Sequence, residues 1–90
     1  MEITVGGGEV LLCVKPVSQL LISAEKATFV VKRGWEIVLR VPAIWFRPDE
    51  EWFARILLEE FAPGDYQVVL EAEDCSDQPK GFLQVSRQGD

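Results

Sequence analysis

Glu71, Glu73, Asp74 and Asp77 fall close together near the end of this chain, and carboxylate oxygens at that density suit a hard cation such as calcium. Their spacing matches no calcium loop, so a solvated acidic loop is the simpler reading. Paired carboxylates could also act as acid and base on a glycosidic bond. That work needs a shaped pocket, and 90 residues leave little room for one. Cys13 and Cys75 lie 62 positions apart in a chain with no histidine. They make a poor zinc site, and neither has an imidazole to activate it as a nucleophile. A disulfide between them is conceivable, but without a secretion signal reduced thiols are the default. Gly6-Gly7-Gly8 could suggest a phosphate cradle, which needs a following Lys-Ser/Thr and a helix start. Glu9-Val10-Leu11-Leu12 follows instead, so a turn is expected. No cofactor and no metal site is expected, and the chain is not read as an enzyme.

Aromatics are the other concentrated chemistry. Trp35, Trp45, Phe46, Trp52 and Phe53 lie within a short span. If 43–46 and 52–58 are strands joined by a turn at 47–51, alternation leaves one aromatic of each adjacent pair facing outward. Exposed aromatics bring large contact area at low entropic cost and mark interfaces. The competing reading places all five in the core. A sugar-stacking platform is a further alternative.

Charge is lopsided. The net charge is −6, yet residues 1–48 carry +2, residues 49–77 carry −9 and residues 78–90 carry +1. An acidic middle argues against direct nucleic-acid binding, which needs Lys and Arg to displace counterions. It favours a basic protein partner, or simply solubility. Absence of asparagine, with many glutamates, hints at a thermophilic source.

The elements that must position these residues are short. At 48% hydrophobic and 27% charged, the chain reads as one globular domain over 1–90. No apolar run is long enough to span a membrane. Met1 leads directly into an alternating stretch, so a cytoplasmic protein or a component of an assembly is expected. Residues 2–5, 9–15, 17–23, 28–32, 35–41, 43–46 and 82–86 all read as strands. Those at 9–15 and 17–23 are apolar on both faces, as buried strands are. In 35–41, Trp35, Ile37, Leu39 and Val41 alternate inward.

Residues 52–72 organise the rest. Tyr66, Val68, Leu70 and Ala72 alternate cleanly after the Pro63-Gly64 turn signal. The run before that turn is ambiguous. Pro48-Asp49-Glu50-Glu51 makes a sound helix start. In a helix, however, Glu60 would fall within the apolar stripe, and Glu59 and Glu60 would oppose the dipole. A strand carries no such conflict.

Phe61, Pro63, Gly64 and Tyr66, followed by Val68 and Leu70, resemble the E–F corner of immunoglobulin-like sandwiches, with Ile56 and Leu58 as inward residues of the strand before. The resemblance implies that the tyrosine hydroxyl bonds back to nearby backbone and pins the crossing between sheets. One departure is Val68, where antibody-type domains carry cysteine.

The expected fold is therefore all-β, an immunoglobulin-like antiparallel β-sandwich. The alternative is α+β, with one helix at about 49–61 packed on the sheet. The expected function is a small acidic protein-interaction or assembly module. Its partner-binding candidates are Trp45, Phe46, Glu50, Glu51, Trp52, Phe53, Glu59, Glu71 and Glu73. A homo-oligomer is compatible with this reading. Alternatives are an inhibitor that imitates phosphates toward a basic nucleic-acid-handling protein, and a module binding sugar or calcium on loops 42–51 and 74–80.

Overall fold

A computed structural model describes residues 1–16, 18–73 and 78–86. The strands are β1 (Glu2–Gly6), β2 (Glu9–Val14), β3 (Ala27–Arg33), β4 (Glu36–Pro42), β5 (Ile44–Phe46), β6 (Glu51–Leu57), β7 (Gly64–Ala72) and β8 (Lys80–Val85). They build two four-stranded antiparallel sheets, ordered β1-β2-β6-β5 and β4-β3-β7-β8. The chain is an all-β sandwich.

Alternation explains which side chains face in. Val10, Leu12 and Val14 of β2 and Trp52, Ala54 and Ile56 of β6 are buried from one sheet. Phe29 and Val31 of β3, Tyr66, Val68 and Leu70 of β7, and Leu83 and Val85 of β8 meet them from the other. Full burial of each large aliphatic or aromatic side chain contributes about 1.5–3 kcal/mol. The strand reading of 52–58 holds as far as Leu57, because β6 pairs with β2 on one side and β5 on the other; Leu58, expected as an inward strand residue, instead opens the turn that follows. Only Leu58–Glu60 turns helical, as a single 3-10 turn. The α+β alternative is not realised.

Of the segment 17–23, expected as a strand, the described residues 18–23 do not form one. Its described part forms the short helix α1 (Gln19–Ile22), with the Ile22 amide donating to the Ser18 carbonyl at 3.1 Å. This segment crosses from one sheet to the other and has no strand beside it. A helical turn satisfies its backbone locally, buries Leu21 and leaves Leu20 and Ile22 exposed.

Trp35 also departs from expectation. It sits in a two-residue β3–β4 turn and is fully exposed, not inward. Gly34 precedes it with φ 62°, the conformation a type II′ hairpin demands of its first central residue. A bulge then shifts the register between Val31 and Lys32, so Ile37 pairs with Lys32 and turns outward, 43% exposed. Leu39 and Val41 keep their inward places against the core.

Two features join the sheets laterally. Ala43 alone separates β4 from β5, so one nearly continuous strand switches sheets; its amide donates to the Ala27 carbonyl at 2.9 Å. On the far side, β8 lies close to the chain start. A Cβ at Gly81 would stand 3.0 Å from both Ile3 Cδ1 and Met1 Sδ.

At the β6–β7 corner, the buried Tyr66 donates its hydroxyl to the Ala62 carbonyl. The Phe61 ring packs edge-on at 5.3 Å, and the Arg33 guanidinium lies 5.9 Å from the Tyr66 ring centre.

Candidate functional site

The β5–β6 hairpin sorts the aromatic pairs by the pleat. Trp45 lies opposite Trp52, and Phe46 lies opposite Glu51. Trp45 and Trp52 point inward, with ring centres 5.2 Å apart. Trp52 is 3% exposed and donates its indole N–H to the Leu21 carbonyl at 2.9 Å. Neither tryptophan is therefore available as a surface anchor: Trp52 is core, and Trp45 packs against the core half-buried. Phe46 and Phe53 point outward and meet edge-to-face at 5.8 Å.

Around that pair the outer face of the first sheet is largely apolar. Leu11, Cys13, Phe46, Glu51, Phe53 and Arg55 line an open depression of about 230 Å³. Ile44 pairs with Phe53 and is 56% exposed. A second open depression, about 440 Å³, adjoins it through Cys13 and Glu51 and is bounded by Met1, Glu2 and Lys15. The rim is mainly acidic: Glu2, Glu9 and Glu51 project on this face, with Arg55 3.6 Å from Glu9. Leu11 and Ile44 were absent from the sequence-derived candidates. The outward phase of Phe53 would have located both, since Leu11 and Ile44 share its face once the pairing is known.

The acidic candidates do not share one surface. Glu50 stands in the turn between β5 and β6 at φ 50°, and Glu51 starts β6. Glu59 lies beyond the opposite end of β6, in the 3-10 turn. Glu71 is on the outer face of the second sheet, paired with Thr28, and Glu73 follows β7 in a turn. Asp74, Cys75 and Asp77, with most of the 74–80 loop, lie outside the described residues. Among the described residues, no three acidic or thiol side chains converge as a metal site would require. No helix among them is long and apolar enough to cross a membrane.

Cys13 sits half-buried on the apolar face. Burial, followed by the nearby carboxylates Glu51, Glu2 and Asp49, pushes its thiol above the ordinary value, against a smaller opposing effect of Lys15. A thiol held protonated is a poor nucleophile.

Comparison of the chain with family models, with curated proteins and with solved structures finds no match.

Proposed function

We propose that this chain is a non-enzymatic, immunoglobulin-like interaction module that docks another protein on the outer face of its first sheet. The immunoglobulin-like part rests on topology. In chain order, β1-β2-β6-β5 facing β3-β7-β8 corresponds to the ABED and CFG sheets of such domains, with β4 as one further edge strand. The hydroxyl bond from Tyr66 to Ala62 matches their corner. Many unrelated functions share that architecture, so the functional reading rests on the site instead.

The observation that carries it is the edge-to-face Phe46–Phe53 pair on an open sheet face, flanked by Leu11 and Ile44 and rimmed by carboxylates. Rigid aromatics at the centre of a polar rim are the usual anatomy of a binding patch. The dispersal of Glu59, Glu71 and Glu73 away from Glu51 gives phosphate mimicry no continuous acidic band.

The test is capture from the native source with the wild-type chain and with a Phe46→Ser/Phe53→Ser double variant. A protein retained by the wild type and lost by the variant supports the reading. Equal retention by both overturns it. A contact centred on these rings should also survive high salt, whereas a phosphate mimic would release its target.

A further inference from the structure

Each sheet ends in two edge strands, β1 and β5 in the first and β4 and β8 in the second. Unpaired main-chain groups on an edge are a template for another strand, and proteins blunt them with bulges, prolines, charges or short length. Three of these edges are blunted. β5 has three residues. β4 carries the bulge beside Val31 and Lys32 and ends in Pro42. β1 has five residues beginning with Glu2, and Ile3 and the preceding Met1 pack against β8 at Gly81. β8 is different. Its six residues hold an unbroken register with β7 and contain no proline, no carboxylate and a single charge, Lys80, at the start.

The ladder decides which β8 groups are free. The Leu70 amide donates to the Pro79 carbonyl at 2.9 Å. Alternation from there turns the main chain of Gly81, Leu83 and Val85 toward β7, and that of Lys80, Phe82 and Gln84 away from it. No described strand receives the N–H and C=O groups of those last three residues. Their side chains stand on the outer face, where Phe82 is 78% exposed.

We infer that this edge pairs with the same edge of a second copy of the chain, antiparallel about a two-fold axis at Phe82. In that register Phe82 meets Phe82 of the second copy as a hydrogen-bonded pair, and Lys80 meets Gln84 in both directions. The free main-chain groups all find partners, the exposed rings meet across the seam, and no like charges stand opposite. On the inner side Gly81 meets Leu83, small against large. The carboxylates of β7 fit as well. Asp65 pairs with Gln84, which puts it in the row of the second copy's Lys80, two strand spacings or about 10 Å of main chain away. Glu71 lies a row past Lys80, beyond the start of β8. These matches single out a second copy: β8 itself supplies ring opposite ring, amide opposite ammonium, and a cation in the row of Asp65. A two-fold axis uses up both edges, so the assembly is a closed dimer. It turns the Phe46–Phe53 faces of both copies the same way and leaves them free, so a partner docked there is met twice. The dimer itself does not depend on that docking role.

The test uses the intact chain in sedimentation over a concentration series, together with amide hydrogen exchange. Wild type should pass reversibly from monomer to dimer with a dissociation constant below about 1 mM, and form nothing larger. The amides of Lys80, Phe82 and Gln84 should exchange more slowly at high concentration, while those of Gly81, Leu83 and Val85 keep the protection that β7 gives them. Gln84→Pro removes a donor that β7 does not use, and should weaken the dimer at least about tenfold. Phe82→Glu and Phe82→Lys each set like charges opposite one another at the axis. Each alone should be weakened similarly, and an equimolar mixture should associate more strongly than either. Near-ultraviolet circular dichroism checks the fold; should Gln84→Pro unfold the chain, the two Phe82 variants, altered at an exposed side chain, carry the test.

A wild type that stays monomeric throughout, or grows past a dimer, overturns the inference. So does unchanged exchange at the three edge amides, a folded Gln84→Pro chain that dimerises like wild type, or a mixture no stronger than its components. None of these results bears on capture through Phe46 and Phe53, whose rings lie on the other sheet.

Discussion

The indole N–H of Trp52 on β6 donates to the main-chain carbonyl of Leu21 in α1, across 31 residues of sequence, in a buried bond of 2.9 Å. It ties the helical crossover to the centre of the first sheet. Leu21 is itself fully buried, so its carbonyl has no ready access to water.

Trp52→Phe should therefore cost more than its lost ring area. A buried carbonyl left without a donor costs about 1–3 kcal/mol. Chemical denaturation should show a lower midpoint with an unchanged slope. A midpoint equal to wild type would mean the Leu21 carbonyl had found another donor.

Tyr66→Phe isolates the corner bond, since the ring and its contacts with Phe61 and Arg33 stay in place. Loss of the hydroxyl bond to Ala62 should lower stability by about 0.5–1.5 kcal/mol. Tyr66→Ala, which empties a buried aromatic site, should cost about 3–5 kcal/mol. If both variants lose the same amount, the corner is held by the hydroxyl alone.

Trp35→Ser should be nearly silent for folding, within about 0.5 kcal/mol either way, because the side chain is fully exposed in a turn. Its fluorescence should emit at solvent-like wavelengths and quench readily with iodide, unlike that of Trp52. A large loss of thermal stability would place Trp35 in contact with structure.

Under reducing conditions, Cys13 should alkylate slowly at neutral pH, with a rate that keeps rising past the ordinary thiol range. The sign follows from its raised value in the fold. The contribution to stability is fully present below the ordinary thiol value and is lost as pH rises through the raised one. Glu51→Gln should bring the midpoint of the rate profile down. A profile identical to wild type would remove Glu51 as a cause.

The face on which Phe46 and Phe53 stand was half-legible in advance. Alternation predicted that one ring of each adjacent pair points out, and the pleat of the β5–β6 hairpin bears this out. Leu11 and Ile44 could not be added from local pattern, because their nearness to Phe53 arises from strand pairing. The acidic run looked like one surface in sequence; the corner at Phe61–Gly64 sends its later members to the other sheet.

Period-two alternation by itself determined that the stretch from Tyr66 to Ala72 is a strand and which of its side chains meet in the middle, while for the run from Trp52 the awkward place of Glu60 in a helix tipped the reading to a strand. Its reach ended where the chain leaves a sheet. Trp35 and Ile37 lost their inward places to a turn and a bulge, and residues 18–23 form a helical crossover that pairs with no strand among the described residues. Only the tertiary structure decided those positions, and with them which side chains share the face around Phe46 and Phe53. A strand's face is a property of its own residues, whereas its partner and register depend on chain brought in from far away.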